Sequence, residues 1–331
     1  MSVRLNLALT GGGLVLPDAG RIAVFHPRAD ADLSSLPTDR TVVIQPMRPD
    51  YDAFSGAGYS CQTDVSADPS RYSASLICLP RSKAQARALI AAAAAVTDGL
   101  LVVDGAKTDG IDSILREVKK RASLHGAVSK AHGKVFWFSA DAADWSEWTA
   151  QPNRPEHGFI TTPGVFSADG IDPASALLAA HLPAKIGRSV ADLGAGWGYL
   201  SAQVLKRDDV QCVHVVEADH TALKCAQSNI DDPRAQFHWA DAIAWRPAEP
   251  VDAVIMNPPF HTDRRADPAL GRAFIAAAAA MLAPGGQLWM VANRHLPYEA
   301  ALSGVFSQVQ ECAGDNRFKI LQASRPTRPR R

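Results

Sequence analysis

At 331 residues with 34 basic and 34 acidic side chains, the chain has no net charge, so any nucleic-acid partner must be sought in local patches. Its 47% hydrophobic and 21% charged residues suit a soluble globular protein of about two domains, without an apolar run long enough to cross a bilayer. The N-terminus (Arg4, a brief apolar stretch, then Gly11-Gly12-Gly13) lacks signal-peptide layout, and the cysteines at 61, 78, 212, 225 and 312 lack disulfide or zinc spacing, so a reducing cytoplasm is expected.

Residues 1–40 read as short strands and turns, with the best strand at 21–25. No Gly-Lys-Ser/Thr follows Gly11–Gly13 and Pro17 precludes the helix a phosphate loop needs, so the glycines read as a turn. Further strands are expected at 41–45, 75–79, 100–104 and 135–138, and helices at 82–96 and 112–124. Strands alternating with helices of this length predict a parallel α/β sheet. The run 116–134 sets Arg116, Lys119, Lys120, Arg121, Lys130 and Lys134 against Glu117 alone. Such a run is a solvated face or a contact for RNA phosphates. Trp145 and Trp148 are expected to pack between or beneath the domains, just before a polar stretch with Pro152 and Pro155. The expected organisation is a first domain at 1–150, a linker at 151–158 and a second domain at 159–331.

In the second half, Asp172 should cap a helix that begins with Pro173. A strand then exits through Asp192-Leu-Gly194-Ala-Gly196-Trp-Gly198 into a helix, which lets a ligand approach backbone amides. The spacing is G-x-G-x-G, with Tyr199 where a dinucleotide binder has its last glycine. Two further strands, at 211–216 and 237–240, end in Glu217 and Asp241. Each acid could be only a cap or turn residue. Together at successive strand tips they suit a nucleoside, Glu217 for ribose hydroxyls and Asp241 for an adenine amino group.

The apolar run Val254-Ile255-Met256 stops at Asn257-Pro258-Pro259-Phe260. Neither proline can donate a backbone hydrogen bond, which leaves the Asn257 side-chain oxygen and the Pro258 carbonyl as acceptors beside an aromatic ring. That set suits a planar group bearing an exocyclic NH2, although Asn-Pro also simply starts turns. His261 is read as lining this pocket or shaping its loop.

The halves also resemble each other. Helix, turn and strand at 86–105 recur at 270–293 with an offset of 185 (Ile90 to Ile275), while the preceding strands match with an offset of 178 (Ile77 to Ile255). The difference of seven residues falls just after Phe260, where a substrate loop is expected. Leu79-Pro80-Arg81-Ser82 stands where the second copy has Asn-Pro-Pro-Phe, so the first copy has lost the chemistry.

On Pro163-Gly-Val-Phe-Ser-Ala-Asp-Gly-Ile-Asp172, Asp192–Gly196, Asn257–His261, 291–298 and 318–320, the chain resembles the bacterial small-subunit ribosomal RNA guanine-N2 methyltransferases, class I S-adenosylmethionine-dependent enzymes. The resemblance implies two tandem Rossmann-like domains with mostly parallel sheets, the first degenerate. It implies S-adenosylmethionine at Asp192, Gly194, Gly196, Glu217, Asp241 and Asn257. Catalysis falls to Asn257, Pro258 and Phe260, and the flipped guanine to Phe260, His261 and Phe166. The expected partner is small-subunit ribosomal RNA or the small ribosomal subunit, met by a monomer without metal or membrane. The acceptors alone leave guanine, adenine N6 and a protein glutamine amide open, and a non-catalytic RNA-binding assembly factor or a large-subunit substrate remain alternatives. The arginine-rich tail 324–331 is expected to be too polar to pack and to touch phosphates.

Overall fold

The computed structural model describes residues 2–65, 71–154, 158–259, 261–262, 265–266 and 268–327. The chain forms two compact units, one of residues 1–152 with 162–164, the other of residues 153–161 with 165–331.

The first unit is built on β1 (Ile22–Phe25), β2 (Thr41–Ile44), β3 (Ser60–Gln62), β4 (Tyr72–Cys78), β5 (Thr97–Ala106), β6 (Gly126–Lys130) and β7 (Gly133–Ser139). Their order is β3-β2-β1-β4-β5-β7-β6, and β7 alone runs against the other six. Helices α1 (Ser2–Thr10), α2 (Arg48–Gly56), α3 (Lys83–Val96) and α4 (Ile111–Val118) accompany the sheet. Sequence reading missed α1, α2, β3 and β6, and it overextended α4, which ends at Val118 rather than residue 124. The sheet is mostly parallel, as expected, with β7 its one reversed strand. Helix α1 is short, and tertiary contacts hold it: Leu5 and Ala8 are buried, and Arg4 forks onto the buried Asp104 of β5 at 2.6 and 2.9 Å. Trp145 and Trp148 lie 5.0 Å apart in the first unit's own core, beside Phe138.

The second unit repeats the plan with β8 (Ser189–Leu193), β9 (Cys212–Glu217), β10 (Ala235–Trp239), β11 (Val251–Met256), β12 (His261–Thr262), β13 (Arg265–Ala266), β14 (Leu282–Asn293), β15 (Phe306–Gly314) and β16 (Phe318–Pro326). Its large sheet has the order β10-β9-β8-β11-β14-β16-β15, with β16 the one reversed strand, while β12 and β13 form a separate antiparallel pair. The helices are α5 (Pro173–His181), α6 (Tyr199–Val204), α7 (His220–Asn229), α8 (Pro268–Met281) and α9 (Tyr298–Ser303). From Ala253 to its end β11 is an unbroken apolar run, flanked by β8 and β14 with both faces covered, so Val254, Ile255 and Met256 are fully buried. Burial of each contributes about 1.5–3 kcal/mol, and together they hold Asn257 fixed at the strand's carboxyl end.

The identical strand order makes the repeat physical, and it corrects the alignment of the two copies. Phe25 pairs with Ile77 as Leu193 pairs with Met256, so Cys78, not Leu79, occupies the place of Asn257. The offset is then 179 at the strand (256 − 77) and 185 at the helix (268 − 83), an insertion of six residues rather than seven.

Two expectations about the chain's surface change. β16 includes residues 324–326, Pro326 pairs with Phe306, and the Thr327 amide donates to Val305 at 2.9 Å, so the start of the supposed tail is sheet. Residues 328–331 lie outside the described residues. Of the basic run, Arg121 pairs with Glu147 and Lys134 with Asp112, and Glu117 is taken by Lys83 and Arg87. Lys119, Lys120 and Lys130 are exposed and have no partner among the described residues.

Candidate functional site

Four successive parallel strands of the second unit bring the sequence-predicted residues to one sheet edge. Asp192 lies near the end of β8, Glu217 ends β9, Asp241 follows β10 and Asn257 follows β11. A cleft of about 390 Å³ opens there, lined by residues that include Phe166, Asp172, Ser175, Gly194, Gly196 and Asn257.

The loop after β8 is set by three glycines at φ +72° (Gly194), +58° (Gly196) and +90° (Gly198), a region closed to most side chains. At Gly198 a Cβ would also meet Ile230 Cδ1 at 2.8 Å. The Gly194 amide donates to the Val216 carbonyl at 2.9 Å, and the Gly196 amide to Glu217 Oε2 at 2.7 Å. Glu217 Oε1 accepts from the Asp219 amide at 2.8 Å, which fixes the carboxylate across the loop. The helix that follows, α6, has only six residues, so the loop itself and not a long helix dipole shapes the cleft wall.

Asp192 is fully buried. Its Oδ2 accepts from Ser201 Oγ at 2.6 Å and its Oδ1 has no partner among the described residues. Burial pushes the Asp192 carboxyl up to about 7, with the nearby Glu217 charge adding to the shift. Glu217 is likewise raised to about 7, mainly by burial. Asp241 is used locally, accepting from the Ile243 amide at 2.9 Å, and it does not line the cleft.

Asn257 shows the clearest polarity. Its Nδ2 donates to Asp172 Oδ2 and to Ser175 Oγ, both at 2.9 Å. Asp172 can only accept, which fixes the amide's orientation and turns Oδ1 the other way. That Oδ1 is buried and has no partner among the described residues, an arrangement that costs about 1–3 kcal/mol and so marks an acceptor awaiting a donor. Pro258 is buried behind it, and Phe260 lies outside the described residues. His261 begins β12.

Asp172 and Ser175 were legible in sequence only as a helix cap and its third residue. Asp172 Oδ2 does cap α5, accepting from the Ser175 amide at 2.8 Å, but the same oxygen also holds Asn257, 85 positions away. Trp197 was likewise missed: its ring is buried, and Nε1 donates to the Phe166 carbonyl at 2.9 Å. Phe166 itself is 62% exposed at the cleft mouth. Ser167 beside it has φ +51°, and the Ala168 carbonyl accepts from Thr161 Oγ1 at 2.6 Å, which staples the loop. Among the described residues no group of three His, Cys, Asp or Glu side chains is placed to hold a metal, and no helix is long and apolar enough to cross a membrane.

Residues 156–322 match the methyltransferase small domain family. The chain is 30% identical over 231 residues to the ribosomal RNA small subunit methyltransferase C of Hahella chejuensis, covering 67% of this chain and 68% of that one. It is 32% identical over 212 residues to the ribosomal RNA large subunit methyltransferase G of Ectopseudomonas mendocina, covering 62% and 56%. In fold it is similar to the T. thermophilus 16S rRNA N2 methyltransferase solved with AdoMet and guanosine, with a TM-score of 0.76 and 24% identity over 95% of this chain and 90% of that one.

Proposed function

The chain belongs to the methyltransferase small domain family, and from that premise we propose that it moves a methyl group from S-adenosylmethionine to the exocyclic N2 amino group of a guanine in small-subunit ribosomal RNA. The observation that carries this reading is that Asn257, which lines the cleft beside the glycine loop, keeps a buried Oδ1 with no partner among the described residues.

The residues present fit the cofactor. Asp192 Oδ1 is a second buried acceptor without a partner, and Asp192 and Glu217 are acids held near neutrality where a cationic, hydroxyl-rich ligand would favour their charged forms. We assign its binding to Asp192, Gly194, Gly196 and Glu217, and leave out the expected Asp241, which is spent on the Ile243 amide and does not line the cleft. When bound, S-adenosylmethionine supplies an electrophilic sulfonium methyl.

The protein's part is to present the nitrogen. An aromatic amino group is a poor nucleophile because its lone pair is delocalised into the ring. By accepting both its protons, Asn257 Oδ1 and the Pro258 carbonyl favour a pyramidal nitrogen with the lone pair free. These fixed dipoles also stabilise the positive charge that grows on nitrogen as the bond forms. The methylated ammonium is acidic and loses its proton to water, so no strong base is needed. We assign Phe260 and Phe166 to contact with a base that is flipped out or unpaired, since a base stacked in a duplex is out of reach. Every described residue that lines the cleft belongs to one unit, which supports action by a single chain, and the RNA substrate places that action in the cytoplasm. The first unit serves RNA recognition in this reading, with Lys119, Lys120 and Lys130 as the cations left for phosphate.

Nucleoside mass spectrometry of separated ribosomal RNAs, from cells with and without this gene, tests the reading. Loss of an N2-methylguanosine from small-subunit RNA, restored by the wild type and not by Asn257→Ala, is expected. Loss from large-subunit RNA instead would favour the second reading, which the similarity to the large-subunit enzyme supports.

A further inference from the structure

The Asn257 clamp leaves one oxygen of Asp172 uncommitted. Oδ2 carries two donors, the Ser175 amide at 2.8 Å and Asn257 Nδ2 at 2.9 Å. Oδ1 has no hydrogen-bond partner among the described residues, and Asp172 lines the cleft together with Asn257. Both residues line the cleft and are bonded to each other, and each keeps one oxygen without a partner among the described residues, Asn257 Oδ1 and Asp172 Oδ1.

Guanine carries two neighbouring donors on one edge, the N2 amino group and N1–H. Adenine sets its amino group beside N1 as a bare acceptor, whose lone pair would face the carboxylate. Building on the guanine reading above, we propose that Asp172 is the specificity-determining residue, accepting from N1–H while Asn257 accepts from the amino group. A site built to bond a substrate N–H rejects an analogue that lacks it, because the protein's acceptor is left unpaired. The negative charge on Asp172 adds repulsion against adenine N1.

Asp172→Asn tests this without dismantling the helix, since Asn caps as well as Asp. The two donors that hold Oδ2 will hold the Asn amide oxygen in the same place, so the new NH2 group replaces Oδ1 at the cleft. Two RNAs are compared, carrying guanine or 2-aminopurine at the position that nucleoside mass spectrometry identifies. 2-Aminopurine keeps the amino group but has N1 as an acceptor. The wild type should methylate the guanine RNA faster by about 10- to 100-fold in kcat/KM, the effect of one hydrogen bond to a charged group. The variant should compress or invert that ratio by at least about tenfold, with cofactor affinity and melting temperature unchanged. The missing O6 of 2-aminopurine affects both proteins alike and drops out of the comparison. If the variant's turnover is too slow to time, the fluorescence of the 2-aminopurine RNA, displaced by the guanine RNA, reads the same ratio as an affinity. A ratio within about twofold of wild type overturns the role of Asp172 and leaves the guanine reading intact. A wild type that methylates neither RNA overturns both.

Discussion

At the scale of single residues, the site is a set of buried acceptors held in place before any ligand arrives. Asn257 is anchored through its nitrogen and bare at its oxygen. Asn257→Ala should therefore slow methyl transfer by about 100-fold, the effect of losing one preorganised polar group, while cofactor affinity stays nearly constant. Single-turnover rates close to wild type would reduce Asn257 to a turn residue. Asp192 and Glu217 make a pH prediction. Burial raises both folded-state values to about 7, above an ordinary unfolded carboxylate near 4. The folded protein thus binds more protons than the unfolded chain between those values. The stability contributed by these acids is complete below about pH 4 and is lost as pH rises through about 7. A cationic cofactor favours the charged acids, so binding should tighten between about pH 6 and 8 and should release protons. Calorimetry at about pH 6.5 in buffers of different ionisation heat checks this, and heats independent of the buffer would refute it.

At the scale of elements, the loop from β8 into α6 depends on backbone shape. Gly198 caps α6 at φ +90° with Ile230 and Ala226 against it. Gly198→Ala should cost about 1–3 kcal/mol of stability in urea unfolding, from the left-handed conformation and the displaced side chains. A loss below a few tenths would mean the loop relaxes freely. At the other end of the unit, β16 continues through Pro326. Removing residues 328–331 should leave the melting temperature unchanged, whereas removing 324–331 should lower it by several degrees, because ladder bonds to β15 go with it.

At the scale of the whole molecule, the two units share one scaffold and differ in the residues at its strand ends. In the first, His26-Pro27-Arg28 stands where the second has Gly194-Ala195-Gly196, and Gln45 stands where it has Glu217. The scaffold bonds persist: the His26 amide donates to Ile44, and the Met47 amide to Gln45 Oε1. The groups proposed to meet the cofactor do not. Gln45 is 2% exposed and spends its amide on the Pro27 carbonyl at 2.6 Å. Cofactor titration should accordingly give one site per chain, and Glu217→Ala should weaken that site by about 1–3 kcal/mol. For the RNA partner, replacing Lys119, Lys120 and Lys130 together with Glu should reduce the salt slope of binding by about two to three, one counterion per lost phosphate contact. An unchanged slope would remove the first unit from the RNA interface.

The sequence by itself determined the two-unit α/β plan, the acids and amide at successive strand tips, and the absence of an Asn-Pro-Pro-Phe and of a glycine-rich strand exit from the first copy. Each is a local property, written in apolar runs, glycines and prolines within a few residues of one another. It did not determine α1, α2, β3 or β6, which are short and held by contacts such as the Arg4–Asp104 fork. The register of the repeat was off by one residue, because polyalanine helices and apolar strands slide past each other without penalty until pairing with β1 and β8 fixes them. Most of all, the tertiary structure decided which way Asn257 faces. Asp172 and Ser175 are 85 and 82 positions away, and only the fold brings an acceptor-only carboxylate against the amide nitrogen and leaves its oxygen to the cleft.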